Sequence, residues 1–148
     1  MLDAVAALAK GLLYGALLSA SGVPLAAALL RPSDALRDYA LRVMRIAAVA
    51  AIALNLLIAA LLFVRLGGGF DQPTFNAVFS SGSGAALLLQ LTGATLLLTP
   101  AEPGNSGHVW RITAALAMTA SVAFNGHAAA ISLPAGLLTM AHVTAAAW

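Results

Sequence analysis

The side chains best suited to chemistry in this sequence are two histidines near its C-terminal end, His127 and His142, with Met140 close to the second. Imidazole nitrogens with a thioether at hand form a set that copper accepts in either oxidation state. The same two imidazoles suit a second chemistry, axial ligation of a b-type haem. That geometry asks for ~4 Å between nitrogens and room for a flat macrocycle, which Ala128, Ala129 and Ala145 would leave open. A third role is structural, with each histidine bonded to a neighbouring carbonyl as glue between helices. Four more polar residues stand in apolar surroundings: Lys10, Asn55, Gln90 and Asn125. Polar groups in such runs are costly and mark either a polar path or helix packing. His108 lies beside Trp110 and Arg111 and reads as a solvated interface residue.

These residues are carried by apolar segments at about 2–30, 44–66, 84–99, 109–131 and 133–148. Of 148 residues, 61% are hydrophobic and 8% are charged. A soluble domain carries about a quarter charged residues, so the chain lacks most of the charge that would keep it in water. At ~20 apolar residues per crossing, the expected fold is an all-α polytopic membrane helix bundle. It has four transmembrane helices and a short fifth C-terminal helix, in a single domain. Lys10 and the small residues 19–22 imitate a cleaved signal sequence, but the apolar run continues through Leu30, which predicts a retained span. The third segment is clear from Ala85 and has an earlier start near Phe75 open to it, because the stretch 80–84 is a poor helix former. The fifth segment reaches only ~24 Å as a helix, less than a ~30 Å hydrocarbon core, so it is expected to be a partial span or part of a longer chain.

Arg31, Arg37, Arg42, Arg45 and Arg111 fall on one face of this arrangement and Arg65 on the other. Basic loops stay in the cytoplasm, which places the N-terminus, the 67–84 loop and the turn at Ser132 outside, in the periplasm of a bacterial inner membrane. His127 then lies ~6 Å inside the outer face, and His142 and Lys10 lie ~12 Å inside it. The tight turn between the fourth and fifth segments makes them antiparallel neighbours, so the two histidines can meet.

Other chemistries are excluded or disfavoured. The chain has no cysteine, which removes disulfides, zinc thiolates and iron–sulfur clusters. It contains no phosphate-binding glycine loop, no His-Glu-x-x-His and no nucleophile elbow. Its five carboxylates lie in loops or at termini. Neither an enzyme nor a nucleic-acid binder is expected, and the lipid bilayer is the one certain environment.

The run Asn125-Gly126-His127-Ala128-Ala129-Ala130, followed by Leu137 to Trp148 with His142 six residues before Trp148, resembles the CopD family of bacterial inner-membrane copper resistance and copper transport proteins. The stretch from Phe79 to Leu91 is also similar to that family. The resemblance implies copper handling at the periplasmic side, with His127 and His142 at the family's histidine positions and a soluble periplasmic copper-binding partner. In that family the last helix continues past the tryptophan. If the chain ends at Trp148, a homo-oligomer or a larger membrane complex would supply further helices; the alternative structural reading, with the histidines as glue, is an accessory or anchor subunit of a larger membrane complex.

Overall fold

The computed structural model describes residues 2–30, 32–67, 71–100, 105–124 and 132–147. Among the described residues are the α-helices α1 (Leu2–Leu30), α2 (Asp34–Arg65), α3 (Gln72–Phe79), α4 (Gly82–Leu98), α5 (Asn105–Ala120) and α6 (Leu133–Ala147). A 3-10 turn, Ser121–Phe124, extends α5. The described residues contain no strand, as the all-helical reading requires.

α1 packs on α2 and α5, and α4 packs on the same two helices, so α1, α2, α4 and α5 close a four-helix ring. Its centre holds Leu13, Leu17 and Ala20 of α1, Met44, Ala47, Ala48 and Ala51 of α2, Ala94 and Leu97 of α4, and Ala114 and Met118 of α5. Alanine dominates because small side chains let backbones approach, the packing mode available to helices that gain nothing from hiding apolar surface from lipid. At Gly93 the approach is closest. A Cβ there would lie 2.5 Å from Met118 Cγ and 2.8 Å from the Ala114 carbonyl. Many large apolar side chains point away from this core, among them Ile46, Val49, Leu56, Val64 and Leu88. A surface of that kind is matched to lipid rather than water.

Two helices, α1 and α2, are long and apolar enough to cross a bilayer. α2 has 32 residues, ~48 Å of helix, and so carries Arg37 and Arg42 ahead of the apolar stretch that begins at residue 44, with Arg45 at its edge. α3 and α4 pass the same test only as a pair, and they are bent by 77°. α5 has 16 residues and α6 has 15. Among the described residues two apolar crossings are present, or three if the bent pair is one span, so the expected four are not confirmed.

The bend between α3 and α4 has a local cause. Ser80 Oγ donates to the Asn76 carbonyl at 2.6 Å and Ser81 Oγ to the Val78 carbonyl at 2.6 Å, which closes α3 with side-chain bonds. Ser81 Oγ also accepts from the Gly84 amide at 3.1 Å and caps α4. Only glycine fits at 84, because a Cβ would run into the Val78 carbonyl and lie 2.6 Å from Phe79 Cα. α3 rests on α2 through tilted aromatic rings, Phe75 being 4.3 Å from Phe79 and 6.4 Å from Phe63 between centroids. Thus the segment beginning near Phe75 is a separate helix, not an early start of α4.

The segment expected as one helix over 109–131 also differs. It begins at Asn105 and leaves α-geometry after Ala120. Thr119 Oγ1 and Ser121 Oγ bond back to the carbonyls three residues earlier, Leu116 at 3.2 Å and Met118 at 2.6 Å. Such bonds compete with the regular backbone ladder and tighten it to 3-10.

Candidate functional site: two cavities beside the bundle core

α6 begins at Ser132, whose Oγ accepts from the Ala135 amide at 3.4 Å, with Pro134 in the first turn. It packs on the 3-10 turn, α1 and α5. Two glycines allow this. A Cβ on Gly136 would sit 3.0 Å from the Ala123 carbonyl, and one on Gly22 would collide with the Ala147 carbonyl. A hydrogen bond of 3.0 Å from the Thr144 hydroxyl to Thr119 Oγ1 fixes the rotation of α6 against α5.

That rotation turns His142 toward a cavity of about 330 Å³ between α1, α5 and α6. Its walls include Tyr14, Ser21, Met118, Thr119, Thr139 and His142. Met140 lies two positions away, ~200° around the helix. It lines a different groove, against Leu25, Leu29, Ile112 and Leu116. The structure thus sets Met140 and His142 in different cavities, and Met118, fully buried with its side chain against Gly93 of α4, also borders the His142 cavity. Sequence reasoning passed over Met118. The signal for it was weak but present, since the chain holds only four methionines, one of them in the segment ahead of His127.

His127 and Asn125 lie outside the described residues. Among the described residues no group of three or more His, Cys, Asp or Glu side chains could hold a metal ion. Nor does any feature of them favour a haem over a metal ion. His108 is exposed at the start of α5. Beside it, Trp110 Nε1 donates to Thr99 Oγ1 at 3.1 Å, which ties α5 to the end of α4.

The remaining polar candidates converge. Lys10, Asn55 and Gln90 line one cavity of about 190 Å³ between α1, α2 and α4, together with Tyr14, Arg65 and Ser83. Asn55 and Gln90 are 1% and 2% exposed. Arg65 is paired with Asp3 across the ends of α1 and α2. Tyr14 borders both cavities.

Residues 1–137 match the family model described as copper resistance protein D-like, N-terminal domain. The chain belongs to the copper resistance protein D-like family. The match runs through all of α1 to α5 and His127, and stops within α6 ahead of Met140 and His142. Thus the copper resistance D-like domain accounts for the four-helix ring and both amide-bearing helices, although the resemblance in the sequence rested on the C-terminal half. No curated protein and no solved structure matches the chain. With this membership and its apolar helices, the copper resistance D-like chain is a membrane protein whose family name ties it to copper resistance.

Proposed function

We propose that this membrane protein takes up copper ions from the periplasmic side of the inner membrane and holds or passes them beside the helix bundle. Copper is the cargo, and the protein carries it without acting as an enzyme. His142 serves as one ligand, Met118 borders the same cavity, and His127, which lies outside the described residues, serves as the second imidazole. The observation that carries this reading is a single cavity bordered by His142 and Met118 in a chain of the copper resistance D-like family. Both are soft or borderline donors that suit copper, and no hard carboxylate lines the cavity to favour another metal. The N-terminus on the periplasmic side, delivery by a soluble periplasmic copper-binding protein, and further helices from an oligomer or complex belong to the same proposal.

The test is a Cu(I) titration of the purified chain against a competing chelator under anaerobic conditions. About one copper per chain is expected, with His142→Ala weakening binding by at least about tenfold and Met118→Leu by less. Met140→Leu is expected to leave binding unchanged. Unaltered affinity in the doubly substituted His127→Ala, His142→Ala protein would overturn the proposal.

A further inference from the structure

The cavity between α1, α2 and α4 has no role in the copper reading, and the orientation of its two buried amides says what it is built to hold. Asn55 Nδ2 donates to the Ala51 carbonyl at 3.0 Å. A carbonyl can only accept, so the amide nitrogen faces the helix backbone and Oδ1 faces away from it. Gln90 Nε2 donates at 2.9 Å to Ser121 Oγ, which spends its own proton on the Met118 carbonyl at 2.6 Å. With that proton on the Met118 carbonyl, Ser121 Oγ acts as an acceptor toward Gln90, so Gln90 turns Nε2 to Ser121 and Oε1 away from it. Among the described residues neither Asn55 Oδ1 nor Gln90 Oε1 accepts a hydrogen bond, and both residues line the cavity. Buried acceptors of this kind call for a donor from an occupant.

The cavity also carries positive charge. Arg65 is neutralised by Asp3, whereas Lys10 pairs with no carboxylate among the described residues, and no carboxylate lines the cavity. A free metal cation is therefore disfavoured by Lys10, and a simple anion leaves both amide oxygens without a donor. A volume of about 190 Å³, at ~30 Å³ for each water-sized atom, holds about six such atoms. An anionic group for Lys10 and a cationic N–H donor for the amides, within that size, describe a small zwitterion. We propose that the cavity formed by Lys10, Asn55, Ser83 and Gln90 binds a small α-amino acid of the size of glycine, alanine or serine. Its carboxylate meets Lys10 and its ammonium donates to Asn55 Oδ1 and Gln90 Oε1.

The experiment is equilibrium binding of radiolabelled alanine to the purified full chain in detergent, with propionate and ethylamine as competitors. Propionate keeps only the carboxylate, and ethylamine only the ammonium. Saturable binding of about one alanine per chain is expected below about 10 mM, with glycine and serine competing and the two half-molecules failing to compete. Lys10→Met and Asn55→Leu are each expected to weaken binding at least about tenfold, and Lys10→Arg to retain it. Lys10 is on the exposed side of α1, so its variants test the site even where a core amide variant does not fold. The proposal is overturned if none of the three amino acids binds, if propionate competes as well as alanine, or if Lys10→Met binds alanine normally. His142→Ala is expected to bind alanine as the parent does, so failure here and failure of the copper reading are separate results.

Discussion

Gln90 Nε2 and Ser121 Oγ are joined by a 2.9 Å hydrogen bond between α4 and the 3-10 turn that continues α5, with both side chains buried. Ser121 is thereby the acceptor that sets the Gln90 amide and one of the two side chains that pull the backbone out of α-geometry. Ser121→Ala removes the acceptor and leaves a buried N–H without a partner. A loss of about 0.5–2 kcal/mol is expected, the range found for interhelical hydrogen bonds inside membrane proteins. Reversible unfolding in mixed detergent micelles measures it, and unchanged stability would show that Gln90 finds another partner at no cost.

Gly84 forms the corner between α3 and α4. Gly84→Val forces a branched side chain into the space of the Val78 carbonyl and Phe79 Cα. The expected result is separation of α3 from α4, with a cost of at least about 1–3 kcal/mol as for other overpacked sites. Spin labels on exposed Gln72 and Leu88 read the corner directly, and an unchanged distance distribution would refute this account of the 77° bend.

Asp71 caps α3, its Oδ1 accepting from the Thr74 amide at 2.9 Å. Thr74, through its side chain first and its amide second, holds the Asp71 carboxyl below the ordinary value of 3.8. A depressed carboxylate stabilises the folded form above the unfolded value, and that contribution fades as pH falls through the folded value. Amide exchange in α3 is therefore expected to quicken only at pH below 3.8. An Asp71→Ala protein should show the faster exchange at neutral pH, and a carboxyl titration by NMR at or above 3.8 would contradict the assignment.

Gly22 is where α1 lets α6 come close. Gly22 does not line the His142 cavity, yet Gly22→Val pushes α6 outward and opens that cavity. Copper affinity is expected to fall by about tenfold or more. The measurement is the chelator titration, and circular dichroism serves as the check that the helices persist. Normal affinity in this variant would mean that the wall formed by α1 and α5 contributes nothing to the site.

Some of this was present in the order of residues alone. The scarcity of charge and the apolar runs fix an all-helical membrane chain, because in lipid each backbone amide must find its partner within the same segment. The cost of burying an amide singles out Asn55 and Gln90 for the same reason, and the serines and glycines at 80–84 mark a stretch that does not read as continuous helix.

Tertiary packing decided the rest. Which polar residues share a cavity depends on the rotation of each helix about its axis, and α1, α2 and α4 are so evenly apolar that their sequences leave that rotation open. Close contacts at Gly22, Gly93 and Gly136 set it. In the packed bundle Lys10, Asn55 and Gln90 border one cavity, His142 and Met118 border another, and Met140 lies in a separate groove. The sequence determined which groups bear the cost of leaving water; the packing of glycine and alanine faces decided which of them meet.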